Sequence, residues 1–234
     1  MNIRPAGICR ALSCIGLWFV TVGAAAAQTT VWIPCGKDNT LYESATGALS
    51  NGSGPGLFVG LNANAQPRRA LLRFDVAANV PAGAAIVSAQ LTVNVVQSNP
   101  MAPLAVTGHR VLQAWGEGAS VAAGGGGGGA PALANDATWL HTMSPSGFWT
   151  NAGGDFVPAA SFSMQTPALG VVSSPRTELV TGDVQFWLDN PAQNHGWLLK
   201  SDETLVGSTA RRLDARESNG VRPFLAVTFV VAQA

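Results

Sequence analysis

The sequence predicts an all-β fold, a jelly-roll-like antiparallel β-sandwich of about ten strands with one short helix. The strongest pattern has a period of two. Over residues 89–95, aliphatic side chains alternate with Gln90, Thr92 and Asn94, as in a strand with one buried face and one wet face. The 27 glycines and 14 prolines favour many turns and therefore many short strands. With only 11% charged residues, the chain lacks the polar faces that a helical bundle needs.

The predicted strands are spaced along the whole chain, with turn residues between them. They cover residues 57–61, 69–76, 89–95, 104–112, 160–164, 196–200, 210–216 and 224–231, with edge pieces at 31–33 and 39–43. Their number and spacing are those of a sandwich.

One segment has the periodicity of a helix instead. The apolar residues that share its helical face are Leu179, Val180, Val184, Trp187 and Leu188. Thr177 is a suitable N-cap, and Asn190 followed by Pro191 ends the pattern. We therefore predict a helix of about three turns that lies against the sheet edge.

Residues 1–27 have the pattern of a secretory signal peptide. Arg4 and Arg10 accompany an apolar stretch that is too short to span a bilayer, and small residues precede the expected cleavage site between Ala27 and Gln28. We predict a secreted protein, extracellular or periplasmic, in which residues 28–234 form a single β-sandwich domain without a membrane span. Cys35 is then its only cysteine, which excludes an internal disulfide.

The predicted domain has no internal boundary. The six glycines at 124–129 predict a flexible loop, because neither a Lys-Ser/Thr pair nor a helix pattern follows them as in a phosphate-binding loop. The formal net charge of the chain is +0, so binding of nucleic acid through phosphate neutralisation is not expected.

Three tryptophans are candidate ligand-binding residues. Trp115, Trp139 and Trp149 lie among glycine, threonine and polar loop residues, and flat aromatic rings stack on sugar rings. Core packing is the alternative for each of them, because tryptophan is a frequent core residue in sandwiches.

Charge is concentrated near the C-terminus, at Arg211, Arg212, Asp214, Arg216 and Glu217. On a strand, Arg212, Asp214 and Arg216 would share one face. Arginines there could bind the carboxylate of an acidic sugar through paired hydrogen bonds. The alternative is a set of structural ion pairs in which Asp214 and Glu217 join Arg73 and Asp75.

Acidic residues near predicted turns are candidate ligands for calcium, which prefers six to eight oxygen atoms. They are Asp38, Glu43, Asp136 and Asp155. The Asp-x-Asp-x-Asp-Gly pattern of a calcium-binding loop is absent, so calcium stays an open alternative.

Motifs of known enzyme classes are missing from the sequence. There is no Gly-x-Ser-x-Gly elbow, and His109, His141 and His195 have no metal-ligand spacing. A hydrolase that uses two carboxylates cannot be recognised from sequence, because any two acidic residues could meet in the fold. We expect a protein without enzymatic activity.

Several short motifs are distributed in order from residue 38 to residue 223. They include residues 38–43 (Asp-Asn-Thr-Leu-Tyr-Glu), 69–75 (Arg-Ala-Leu-Leu-Arg-Phe-Asp), 115–118 (Trp-Gly-Glu-Gly), 136–139 (Asp-Ala-Thr-Trp), 183–188 (Asp-Val-Gln-Phe-Trp-Leu), Gly196-Trp197, Arg216-Glu217 and Arg222-Pro223. Together they resemble the secreted DNRLRE-type domains, which are named for an Asp-Asn-Arg-Leu-Arg-Glu motif. Thr40 and Tyr42 stand in place of its two arginines.

The resemblance implies a jelly-roll β-sandwich that is similar to the family 96 carbohydrate-binding modules. Some of those modules are linked to acidic polysaccharides such as alginate, and such domains usually belong to large secreted bacterial proteins. The resemblance supplies no catalytic residue. It implies that Arg73, Asp75, Arg216 and Glu217 form a structural ion-pair scaffold.

Three functions are compatible with these patterns. The first is a secreted, non-catalytic module that binds carbohydrate, in particular an acidic polysaccharide. The second is a structural or adhesive protein of a cell surface or matrix, which predicts self-association through strand edges. The third is a polysaccharide lyase or hydrolase, although a single tyrosine, Tyr42, makes a tyrosine-based lyase a poor fit.

Overall fold

The computed structural model describes residues 1, 27–99 and 102–231. The predicted signal peptide lies almost entirely outside these residues and stays a prediction. Within the described ranges, no helix is long and apolar enough to cross a membrane.

The described residues form fourteen strands and two helices. The strands are Gln28–Tyr42 (β1), Leu49–Ser50 (β2), Gly56–Leu61 (β3), Pro67–Phe74 (β4), Ala85–Ser98 (β5), Leu104–Arg110 (β6), Ala130–Pro131 (β7), His141–Met143 (β8), Gly147–Phe148 (β9), Phe162–Thr166 (β10), Gly170–Ser173 (β11), Trp197–Ser201 (β12), Arg211–Asp214 (β13) and Phe224–Val230 (β14). The helices are Val76–Asn79 (α1) and Glu178–Asp189 (α2), and Pro191–Gln193 forms a 3-10 turn. The predicted all-β class is confirmed, and 10 of the strands are linked by hydrogen bonds into one continuous sheet.

These 10 strands form two antiparallel layers, sheet A and sheet B, which are continuous because β1 and β3 each cross from one layer to the other. Sheet A contains the first half of β1, then β14, β5, β13 and β3, with β11 on the other side of β5. Sheet B contains the second half of β1, then β4, β12, β6 and β10. The two edge pieces predicted at 31–33 and 39–43 are therefore one strand that serves both sheets.

The two crossings have local causes. In β1 the register shifts between Cys35 and Lys37, where pairing changes from β14 to β4. In β3 the crossing occurs at Gly60, which has a φ of 111°. A Cβ atom there would lie 2.8 Å from the carbonyl oxygen of Thr209, so both the backbone angle and the space require glycine.

The main apolar core lies between the sheets. The predicted helix is confirmed as α2, but it packs into this core rather than against the sheet edge, and Leu179 is exposed. Thr177 caps the helix, since its Oγ1 accepts a hydrogen bond from the backbone N–H of Val180 (3.1 Å). Trp187 is fully buried and meets Trp197 edge to face, with 4.6 Å between ring centres. The four-residue helix α1 that follows β4 was not expected from the sequence.

A second apolar core covers the outer face of sheet B. Leu41, Leu71 and Leu198 lie on that face and are fully buried. The residues that cover them come from the segment between β6 and β10 and are Val111, Trp115, Ala137, Trp139 and Trp149. Sheet B is thus buried on both faces at Leu41, Leu71 and Leu198. The glycine run at 124–129 is a loop, as predicted, and the Oη of Tyr42 donates to the carbonyl of Gly126 (2.7 Å).

Candidate functional site

A cleft of about 250 Å³ opens at one end of the sandwich, where residues of β3, β4, β5 and β13 meet. Its polar lining consists of Asn62, Arg68, Gln97, Asn99, Ser208 and Arg212. None of the described residues that line it is acidic. We call it the arginine cleft, because its two ionised groups are guanidinium groups.

Strand pairing assembles this cleft from distant parts of the chain. Arg212 of β13 pairs with Phe58 of β3 on one side and with Gln97 of β5 on the other. Asn62 begins the loop between β3 and β4, and its Oδ1 accepts hydrogen bonds from the backbone N–H groups of Asn64 and Gln66, both at 2.9 Å. These contacts fix the loop, so the amide of Asn62 has a defined place beside the two arginines.

Arg68 is only 4% exposed. Its Nη1 donates to the carbonyl of Pro67 (3.0 Å), and its guanidinium carbon lies 5.0 Å from the centre of the Tyr42 ring. Its Nε is buried and makes no hydrogen bond, and it forms no ion pair with any described residue. Burial lowers the pKa of Arg68, against the opposing influence of Tyr42 and Glu43, but an arginine stays charged at neutral pH.

Arg212 is the second cation of the cleft and is half-buried. Its Nη2 lies 3.5 Å from the carbonyl of Pro55, which is a long hydrogen bond, and its Nε is buried without a partner. Gly56 lets the side chain lie flat on the strand, because a Cβ there would be 2.4 Å from the Nε of Arg212. No ion pair among the described residues includes it.

The other two candidate arginines lie elsewhere. Arg211 is 1% exposed, and its guanidinium donates to the carbonyls of Thr209 (3.0 Å) and Ala102. Arg211 therefore anchors backbone carbonyl groups and does not line the arginine cleft. Arg216 lies beyond the end of β13 and pairs with Glu117 (3.0 Å) and Glu217 (2.5 Å). The predicted row of Arg212, Asp214 and Arg216 on one strand face is therefore wrong, because the strand ends at Asp214.

The structure gives the predicted ion pairs only in part. Glu217 pairs with Arg216. Asp214 instead accepts hydrogen bonds from Asn94 (2.7 Å) and Ser218 (2.5 Å). Neither Arg73 nor Asp75 forms an ion pair with another described residue. The Arg73–Asp75 part of the expected scaffold is thus not formed; the pairs found instead include Arg69–Glu203 (2.7 Å) and Arg110–Asp183 (3.1 Å).

The three candidate tryptophans lie in the second core. Trp115, Trp139 and Trp149 are 1%, 9% and 6% exposed. The Nε1 of Trp115 donates to the carbonyl of His195 (2.8 Å), and that of Trp149 donates to the carbonyl of Thr138 (2.9 Å). The guanidinium of Arg69 covers Trp139 at 4.7 Å from the ring centre. None of the three presents an open ring face to a sugar.

Among the tryptophans that the structure describes, Trp32 is the exposed one, and the sequence interpretation missed it. It is 68% exposed on β1, where it pairs with Ala226. Val31 and Ile33 turn toward the core, so the period of two along the strand puts Trp32 on the wet face. That alternation was the signal that could have identified it.

The candidate calcium ligands do not come together. Asp38 accepts from the backbone N–H of Arg216 (2.7 Å), Asp136 from that of Leu133 (2.7 Å), and Asp155 from that of Thr150 (2.6 Å). Glu43 is half-buried beside a separate shallow pocket. Among the described residues, no three acidic, histidine or cysteine side chains form a group that could hold a metal ion. The three aspartates order backbone segments instead.

In comparisons with known proteins, no family model and no curated protein matches the chain. The resemblance to DNRLRE-type domains accordingly stays a prediction, and the functional assignment rests on the geometry of the arginine cleft.

Proposed function

We propose that the protein is a secreted, non-catalytic module that binds an acidic polysaccharide in the arginine cleft. The observation that carries this proposal is the pair Arg68 and Arg212, two guanidinium groups that line one cleft without an acidic partner among the described residues. An anionic ligand in the cleft would pair with both guanidinium groups.

The rest of the lining suits a sugar. Asn62, Gln97 and Asn99 supply amide groups that both donate and accept hydrogen bonds, and Ser208 supplies a hydroxyl. Sugar hydroxyls need such partners, while a uronate carboxylate can accept two parallel hydrogen bonds from one arginine. Neutral polymers would leave both guanidinium groups without an anionic partner.

A lyase that uses tyrosine as its base has no support from the structure. Tyr42 is fully buried and donates its hydroxyl proton to Gly126. Burial is also the main reason that its pKa is raised above the ordinary value of tyrosine. The hydroxyl therefore neither reaches a substrate nor ionises readily, which argues against Tyr42 as a catalytic base.

Arg212→Gln is expected to weaken binding of an oligouronate by about tenfold or more, because a hydrogen-bonded charge contributes about 1.5–3 kcal/mol. Titration calorimetry with oligomers of alginate and pectate measures the effect, and an uncharged glucan oligomer is expected not to bind. Arg176→Gln is the matched control, since Arg176 is exposed and lies outside the cleft. Unchanged affinity in Arg212→Gln, or no binding of any acidic polymer by the wild type, would refute the proposal.

A structural or adhesive role is the second candidate, and Trp32 favours it. Residues 28–34 of β1 pair with β14 on one side and with no other described strand. A large exposed apolar side chain on an open strand edge is a typical site of association between copies.

This second candidate predicts an apparent mass that rises with protein concentration, and Trp32→Thr is expected to keep the protein monomeric. Size-exclusion chromatography with light scattering measures both. Trp32→Thr leaves the arginine cleft intact, so polysaccharide binding by this variant serves as the control. A wild type that is monomeric at every concentration would eliminate association through this edge.

A further inference from the structure

A second basic cavity lies beside the second core, far from the arginine cleft. It has a volume of about 220 Å³, and its titratable lining residues are Lys37 of β1, Arg73 of β4 and His195. Trp115 and Asn194 also line the cavity. Arg68 and Arg73 lie near opposite ends of β4, about 16 Å apart at the rise of a strand. No acidic residue is among the described residues that line the cavity.

Lys37 is held in place beside this cavity. Its Nζ lies 4.2 Å from the centre of the Trp115 ring and donates to the carbonyl of Trp115. Burial, with a further contribution from Arg73, lowers the pKa of Lys37 to about 8. Glu117 acts in the opposite direction, but its carboxylate is already bound by Arg216 through two hydrogen bonds of 3.0 Å.

Arg73 and His195 are the other two basic residues that line this cavity. The Nε of Arg73 donates to the carbonyl of Asn194 (2.9 Å), and Arg73 has no ion-pair partner in the described part of the chain. Burial lowers the pKa of His195, and the charges of Lys37 and Arg73 lower it further. The folded protein therefore holds three basic groups together at an electrostatic cost that no acidic lining residue offsets.

We propose that this cavity is an anion site, in which Lys37, Arg73 and His195 bind an oxyanion such as a sulfate or carboxylate group. Perturbed basic groups that converge on a cleft without counter-charge are typical of functional sites. An oxyanion would accept hydrogen bonds from the ammonium and the guanidinium, and from the imidazole when it is protonated. The site is independent of the proposed polysaccharide cleft.

Sulfate is the sharpest probe, because it is doubly charged across the whole working pH range, so any change of affinity with pH reports on the protein. Titration calorimetry at constant ionic strength is expected to show affinity at least about tenfold higher at pH 5 than at pH 9.5. One loss of affinity accompanies deprotonation of His195, and a second accompanies that of Lys37 near pH 8. Arginines do not titrate in this range, so sulfate bound in the arginine cleft would show no such dependence.

Variants separate this site from the arginine cleft. Arg73→Gln is expected to weaken sulfate binding about tenfold or more at every pH, whereas His195→Gln is expected to lose only the gain in the acid range. Arg212→Gln is the matched control and is expected to keep the wild-type pH profile. Thermal melts establish that each variant is folded.

Two results would overturn the anion site: sulfate affinity that does not change with pH in the wild type, or wild-type affinity in folded Arg73→Gln. Oligouronate binding that depends on Arg212 would survive either result, so the two proposals fail separately. Comparison of inorganic sulfate with dextran sulfate identifies the source of the anion. Tighter binding of the polymer with the same variant pattern indicates a substituent on a polymer, and equal binding indicates a free ion.

Discussion

Trp115→Ala is expected to lower the free energy of unfolding by about 3–5 kcal/mol, the usual cost of truncating a buried tryptophan. Trp115 is 1% exposed and lies in the second core. The substitution removes the ring on which Lys37 rests and leaves the carbonyl of His195 without the indole donor. It would open a void between sheet B and the segment that covers it.

Trp32→Ala is the matched control, because it makes the same chemical change at a side chain that is 68% exposed. Its expected cost is below about 0.5 kcal/mol. Urea unfolding followed by circular dichroism measures both values, and Trp115→Phe, which retains much of the ring volume, supplies a value if Trp115→Ala does not fold. A stable Trp115→Ala variant that loses polysaccharide binding would contradict the core assignment and restore Trp115 as a stacking residue.

The strands and the helix could be predicted because their signals are local. The alternation in β5 reflects a strand with Leu91 and Val93 in the core and with Gln90 and Asn94 half-buried on the opposite face. The ends of α2 could be predicted from single residues, since Thr177 caps its first turn and Asn190 is its C-cap. Such patterns depend on neighbours only a few residues away.

The second core could not be predicted in this way. Trp115, Trp139 and Trp149 lie in a segment with little regular structure and small polar neighbours, which is typical of exposed loops. They are buried only because Leu41, Leu71 and Leu198 give sheet B an apolar outer face. Leu71 and Leu198 alternate with residues of the main core, so β4 and β12 are apolar on both faces at these positions. An apolar run of this kind can indicate burial on two sides, but it does not identify what covers the second side.

The arginine cleft was predicted only in part, for a similar reason. Arg212 was selected because charge is scarce in this chain, and the structure does place it in a cleft. Arg68 had no local signal that distinguished it from Arg69, its neighbour. Yet Arg69 pairs with Glu203, 134 positions away, while Arg68 has no acidic partner among the described residues. Which arginine lacks a counter-charge is decided by long-range contacts.

Scarcity of charge also makes the few buried carboxylates sensitive to pH, and Asp38 is the clearest case. It is fully buried; its Oδ2 accepts from the backbone N–H of Arg216, while its Oδ1 has no hydrogen-bond partner. Burial raises the pKa of Asp38 to about 8, although the hydrogen bond from Arg216 acts in the opposite direction. Glu217 and Glu117 raise it further.

Release of the Asp38 proton is therefore expected to cost about 1.6 kcal/mol of stability between pH 6.5 and pH 8, with a slope of about 1.4 kcal/mol per unit at the acid end of this range. The raised pKa means that the folded state keeps a proton that the unfolded state, with an aspartate pKa of about 4, has already released. Stability from this proton is complete below pH 4 and is lost as the pH rises through about 8. His109 and His195, whose pKa values are lowered by burial, act with the opposite sign wherever unfolded histidine still holds a proton, which extends to about pH 7.5.

Asp38→Asn is expected to remove this slope, because asparagine occupies the site without a charge at any pH. Urea unfolding of the wild type and Asp38→Asn at pH 6.5, 7.25 and 8 measures it as a difference between the two proteins. Lys37, whose pKa is lowered to about 8, and the two histidines contribute equally to both proteins and cancel in that difference. Asp136→Asn is the matched control: Asp136 is equally buried but accepts backbone hydrogen bonds through both oxygens, so the variant is expected to be less stable at every pH with the wild-type slope. A difference in stability between the wild type and Asp38→Asn that does not change with pH would show that Asp38 is ionised in the fold and that Arg216 outweighs burial.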